Sequence, residues 1–207
     1  VLYDATGDRA VQVADLNRAR SLPGRHNWQN AAAAYAAVRG LGTPAADIAE
    51  GLLGFPGLAH RMETVGHIRG VRFVNDSKAT NSDAARQALS SYPRVYWIAG
   101  GRPKDGGIDA LSDLFPRIER AYLIGEAGPA FGEALEGRAP HVQCLDLAAA
   151  VNQAFADAQA SGQGGIVLLS PACASFDQFA DFEARGEAFR SAVMDLADHV
   201  ARTGDAA

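Results

Sequence analysis

Val71-Arg72-Phe73-Val74-Asn75-Asp76-Ser77-Lys78-Ala79-Thr80-Asn81, residues 71–81, holds the pattern on which the fold turns. Its first five residues are apolar and β-branched enough for a short buried strand. A polar loop follows and opens into a helix predicted over 82–90. Downstream the alternation continues. Strands are predicted at 95–99, 121–124, 142–145 and 165–169, and helices at 109–118, 128–136, 147–160 and 186–201. Short apolar strands separated by helices of this length specify a mostly parallel sheet covered on both faces. The right-handed crossover rule makes that sheet an α/β, Rossmann-like doubly wound fold.

Upstream the pattern is different. Residues 1–15 alternate as a hairpin around Thr6-Gly7-Asp8, and a hairpin alone is marginal in water. It therefore belongs to a larger sheet. An Ala-rich helix is predicted over 28–39, and Thr43-Pro44 offers an N-cap and an N1 proline to a second helix. Gly54-Phe55-Pro56-Gly57 then breaks the chain, which sets a domain boundary between 1–57 and 58–207. The chain opens without Met on a strand-like stretch, and is read as a piece of a longer protein.

Composition excludes several function classes. With 24 Asp+Glu against 19 Lys+Arg the net charge is -5, and no basic tract exists to bind nucleic acid or a membrane surface. No apolar run reaches the roughly 20 residues that span a bilayer. At 48% hydrophobic residues, the chain is too apolar to be disordered. Cys144 and Cys173 cannot form a disulfide framework, which fits a cytoplasmic location. The five histidines lack zinc-site spacing, so no metal site is expected.

In an open α/β sheet, ligands bind beyond the C-terminal ends of the strands. The loops there read NDSKATN, GGRPKDGG, GEAGPAFG and SPACASFDQF. In the first, Asp76 can accept from ribose hydroxyls, Lys78 can face phosphate, and Thr80 and Asn81 sit where free helix N–H groups meet an anion. Helix capping by Thr80, Asn81 or Ser82, with a surface ion pair between Asp76 and Lys78, explains the same residues without a ligand. In the second loop, glycines admit close backbone approach, and Arg102 or Lys104 can bind a carboxylate or phosphate. The third lacks the GxGxxG fingerprint and reads as a structural turn. In the fourth, Ser175 can bond an anionic ligand, but no GxSxG elbow surrounds it, and Cys173 reads as a buried structural thiol. Asn27 and Asn30 share a helix face, where two carboxamides can read a purine edge or where one simply caps the helix. No P-loop GxxxxGK[ST] occurs anywhere in the chain.

Five segments together resemble the Mur ligases. They are GRHNWQN at 24–30, AHRME at 59–63, NDSKATN at 75–81, GGRPK at 100–104 and LLSPACASFDQFADFEARGEAF at 168–189. The resemblance covers essentially the whole chain. It points to the branch that adds D-glutamate to UDP-N-acetylmuramoyl-L-alanine in peptidoglycan synthesis. It implies three domains in the whole protein: one for the UDP-sugar, a central ATPase carrying the P-loop, and a C-terminal domain that binds the amino acid and closes on ATP. Residues 1–57 then correspond to the tail of the central domain and 58–207 to the C-terminal domain, and the chain alone is expected to be inactive.

The resemblance places Asn27 and Asn30 near adenine, and Arg61, Asp76 and Lys78 at ribose and phosphates. Thr80, Lys104, Ser175 and Phe182 surround D-glutamate, with Arg185 a further candidate. ATP and Mg²⁺ are implied, with the Mg²⁺ ligands largely outside this chain. Where family members often carry an acidic residue, this chain has Arg102-Pro103, and Arg102 is given no role. The rival expectations are a non-catalytic nucleotide-binding module and a ligase similar to the folylpolyglutamate synthases.

Overall fold

The structure, a computed structural model, describes residues 1–19, 21–104 and 106–204. The chain divides into two compact units, Val1–Leu58 and Ala59–Ala207.

The first unit pairs β1 (Leu2–Asp4) with β2 (Val11–Ala14) as an antiparallel hairpin. Two helices follow, α1 (Arg25–Gly40) and α2 (Ala45–Gly54). A small core of Leu2, Ala14, Leu16, Ala31, Tyr35 and Ile48 holds them. The Tyr35 hydroxyl donates to Asp4 Oδ2 at 2.6 Å and ties α1 to the hairpin. The expected Thr43 cap is not formed. Pro44 itself takes the N-cap position, extended at ψ 140°, and no side chain caps α2. Thr43 therefore stands one position outside the cap.

The second unit is the doubly wound sheet. Its strands are β3 (Glu63–Ile68), β4 (Val71–Asn75), β5 (Val95–Gly100), β6 (Ile118–Ile124), β7 (His141–Gln143) and β8 (Gly165–Leu169). Their spatial order is β3-β4-β8-β5-β6-β7, with β3 antiparallel to β4 and the other pairs parallel. Strand β3 is absent from the sequence-based expectation. Its residues ETVGHI are half-polar, and a register shift between Thr64 and Gly66 breaks the alternation that marks a strand. It is joined to β4 by a tight turn in which Arg69 (φ 45°) and Gly70 (φ 82°) are both left-handed, the geometry of a two-residue hairpin.

One face of the sheet packs Val74, Trp97, Leu123 and Leu168 under α3 (Ser82–Ser90) and α4 (Gly128–Leu135). The segment expected as an α-helix over 109–118 is a 3-10 helix, Asp109–Arg117, with Pro116 inside it. Proline lacks the N–H that α-helical pairing needs. The other face packs Phe73, Tyr96, Ile98, Tyr122, Val167 and Leu169 under α5 (Leu147–Ala160) and α6 (Phe182–Gly204). Strand β7 is shorter than expected, and Leu145 lies 89% exposed beyond it. Chain connections to α3 and to α6 leave opposite faces from the neighbouring strands β4 and β8, which makes their C-terminal edge a topological switch point.

Candidate functional site

Strand register builds the site. Asn75 pairs with Leu169, Leu169 with Ile98, and Gly100 with Ile124, so the loops after β4, β8, β5 and β6 leave one edge of the sheet. Backbone hydrogen bonds then stitch these loops together beyond the strands. Asp76 N–H donates to Leu169 O at 2.7 Å, and Gly100 N–H to Pro171 O at 2.9 Å. Arg102 and Ala174 exchange both N–H···O bonds, at 2.9 and 3.1 Å. Two glycines make this approach possible. Gly100 and Gly101 have φ of 121° and 129°, and a Cβ on them would collide with the Ile124 and Ala174 carbonyl oxygens respectively.

Asp76 is buried under this rim. Its Oδ2 accepts from the Ser170 hydroxyl at 2.9 Å and its Oδ1 from Met62 N–H at 3.3 Å. Burial pushes its acid up to about 7, against the pull of the Ser170 and Met62 hydrogen bonds and the Arg61 charge. It is therefore not half of a surface ion pair with Lys78. Lys78 instead lays its ammonium 3.7 Å above the centre of the Phe182 ring, and its N–H donates to His60 O at 3.1 Å. Arg61 is exposed between His60 and Met62, both bonded to the β4 loop. Thr80 is half-buried, and Asn81 rather than Thr80 or Ser82 caps α3, accepting from Ala84 N–H at 2.8 Å.

Lys104 is exposed two residues beyond the Arg102–Ala174 bridge, and Ser175, 2% exposed, follows Ala174 directly. Burial pushes the Cys173 thiol up to about 12, against the Arg185 and Lys104 cations. That suits an inert structural thiol. Arg102 stays at the surface and pairs with Glu126 at 3.4 Å. Asp177 ties in the β6 loop by accepting from Glu126 N–H at 3.0 Å, while its Oδ1 is buried without a partner among the described residues.

Asn27 and Asn30 belong to the first unit. Asn27 is inside α1 rather than at its cap, and its Nδ2 donates to Pro23 O at 2.7 Å; Asn30 is exposed. The second unit thus brings Arg61, Asp76, Lys78, Thr80, Lys104, Ser175 and Phe182 to the loops of one sheet edge and the residues packed on them.

Several supporting groups lie behind these residues; of them only Arg185 is named as a candidate on the resemblance. Asn75 is fully buried; its Nδ2 donates to His60 Nδ1 at 3.1 Å and to Gly186 O at 3.0 Å, and its Oδ1 accepts from Ser77 N–H at 3.2 Å. His60 Nε2 faces Glu187 at 3.5 Å. Ser77 donates its hydroxyl to Phe182 O at 2.8 Å. Arg185, 1% exposed, donates to Ser77 and to Cys173 O. Asn75, Ser77 and Cys173 are marked only by lying in the NDSKATN and SPACASFDQF motifs, and a motif does not distinguish a buried support from a ligand contact.

Residues 60–173 match the model of the Mur ligase glutamate ligase domain. The chain belongs to the Mur ligase family. Among curated relatives, the UDP-N-acetylmuramoylalanine--D-glutamate ligase of Phenylobacterium zucineum strain HLK1 is 73% identical over 198 residues, 96% of this chain and 42% of the relative. The enzyme of the same name from Rhodospirillum rubrum is 56% identical over 197 residues, covering 95% of this chain and 41% of the relative. The chain thus spans about two fifths of the length of these relatives. Among solved structures, MurF from Acinetobacter baumannii aligns at a TM-score of 0.55 with 21% identity, covering 84% of this chain and 38% of that one. The bifunctional folylpolyglutamate synthase/dihydrofolate synthase of Yersinia pestis CO92 aligns at 0.52 with 20% identity, covering 89% and 42%. At such identity the Mur ligase chain shares with these two its fold.

Proposed function

We propose that this chain is the amino-acid-binding part of an ATP-dependent ligase that adds D-glutamate to UDP-N-acetylmuramoyl-L-alanine. The observation that supports the proposal is the Arg102–Ala174 bridge, which joins the loop bearing Lys104 to the loop bearing Ser175 at the switch-point edge. A cation and a hydroxyl there suit the carboxylates of an acidic amino acid. The names of the relatives support the same choice of substrate.

On this proposal Thr80, Lys104, Ser175 and Phe182 surround D-glutamate. Lys104 and Ser175 meet its carboxylates, and Phe182 contributes backbone. Arg61, Asp76 and Lys78 attend ribose and phosphates, while Asn27 and Asn30 attend adenine. Residues 1–57 are assigned to the tail of the central ATP-binding domain and 58–207 to the C-terminal domain. ATP phosphorylates the carboxylate of the UDP-sugar peptide, the D-glutamate amine attacks the acyl phosphate, and ADP and phosphate leave. Lys78 is a point charge suited to the transferring phosphoryl group, and its seat on the Phe182 ring fixes it next to the amino-acid side.

Among the described residues no group of three or more His, Cys, Asp or Glu is placed to hold a metal ion. Mg²⁺ held mainly by ATP phosphates needs no such group, and no step here is routed through it. No helix among the described residues is long and apolar enough to cross a membrane. A cytoplasmic setting agrees with the free cysteines.

Phosphate release tests the proposal. The full-length protein is expected to release phosphate from ATP only when both UDP-N-acetylmuramoyl-L-alanine and D-glutamate are present, and this chain alone to release none. Release driven by a folate in place of the UDP-sugar would assign the chain to the folylpolyglutamate synthases instead.

A further inference from the structure

The buried cation under the rim has no ion partner. Arg185 lies in the first turn of α6 and is 1% exposed. Its Nε donates to Ser77 Oγ at 3.0 Å, its Nη2 to Ser77 O at 2.8 Å and its Nη1 to Cys173 O at 3.0 Å. All three acceptors are neutral. Among the described residues no carboxylate bonds it, and Asp177 acts on it only through space. The same guanidinium also abuts the β5 loop, since a Cβ on Gly101 would come within 3.2 Å of Nη1. One side chain therefore bonds the loops after β4 and β8 and lies close to the β5 loop.

Burying an unpaired charge is expensive, and an apolar side chain of similar volume would fill the space more cheaply. Holding the loops together could be done by neutral groups. What a neutral group cannot supply is a weakly screened positive potential at the base of the rim. Cys173 registers that potential beside the one from Lys104. Two cations thus act at the same place, one exposed and one enclosed.

We propose that Arg185 is a positioning residue of the amino-acid pocket: its fork of donors ties the loop after β4 to the loop after β8 with the β5 loop packed against it, and its charge raises the preference for an acidic over a neutral amino acid. This rests on the D-glutamate ligase function proposed above. Arg185 does not itself touch the amino acid on this proposal, because it is 1% exposed and three of its five N–H donors are held by Ser77 and Cys173.

The test compares wild type, Arg185→Gln and Arg185→Lys in the full-length ligase. Thermal unfolding is followed beside the KM values for D-glutamate and ATP and the kcat/KM ratio of D-glutamate to D-glutamine. Arg185→Gln is expected to raise the D-glutamate KM about tenfold, leave the ATP KM within about twofold, and shrink the preference for D-glutamate over D-glutamine. Arg185→Lys keeps the charge and is expected to recover that preference in part, though it melts lower for want of the fork. An unchanged amino-acid preference in folded Arg185→Gln overturns the proposal, as does an equal rise in both KM values in that variant. A wild-type enzyme that releases no phosphate in response to D-glutamate overturns the parent function instead, and the two failures are separately visible.

Discussion

Asp76 is held where a carboxylate is costly. The side chain is 8% exposed, and the Ser170 and Met62 donors compensate only part of the lost hydration, which leaves the acid up at about 7 against the ordinary 3.8. Between those two values the folded protein keeps a proton that the unfolded chain has released. The stability this group contributes is therefore full below pH 3.8 and lost as pH rises through about 7. Asp76→Asn keeps an oxygen for Met62 and a polar partner for Ser170 while removing the titration. Its unfolding free energy should gain on that of wild type as pH rises from about 5 to about 8, by on the order of a few kcal/mol. Urea unfolding of both proteins at the two pH values checks this; a gap that does not change with pH would show that Asp76 titrates normally. The sequence made Asp76 legible as a loop carboxylate but not as a buried one. Its burial depends on Ser170, 94 positions away. The same holds for Arg185, whose partners Ser77 and Cys173 are reached through packing rather than along the chain.

The helices and strands that local chemistry specifies were readable. Strands β4 and β8, and helices α3 and α5, fall where apolar periodicity and polar starts put them. Two of those starts are side-chain caps: Asn81 bonds Ala84 N–H, and Asp146 bonds Ala149 N–H, each at 2.8 Å. Replacing Asn81 by Ala should cost about 1 kcal/mol, since one helix donor loses its acceptor. A shift of the urea midpoint with an unchanged slope is the expected signature, and no shift would mean that water replaces the cap without cost. Elements governed by their neighbours were not readable. Strand β3 exists because β4 offers it an edge and the Arg69-Gly70 turn folds it back, not because ETVGHI is a strong strand sequence. Helix α2 starts without a side-chain cap because Pro44 takes the position that Thr43 was expected to fill.

At the scale of the whole second unit, an insertion matters most. Strand β8, last in sequence, lies between β4 and β5. Alternating periodicity announces a parallel sheet but not that order, because the crossover from β7 spans an entire helix. Yet the order is what brings NDSKATN, GGRPK and SPACASFDQF to one rim, with the β8 loop bonded to the β4 loop on one side and to the β5 loop on the other. The separate motifs were visible in the sequence; their junction required strand register. Lys104 and Ser175, 71 positions apart in sequence and on different loops, should then behave as members of one pocket. Lys104→Ala and Ser175→Ala, singly and together in the full-length ligase, are compared by phosphate release with D-glutamate varied. Each single variant should raise the D-glutamate KM, Lys104→Ala by roughly tenfold or more, with the ATP KM little changed and the double variant less impaired than the product of the two. A D-glutamate KM unmoved by both substitutions would contradict a pocket built from the joined loops of this sheet edge.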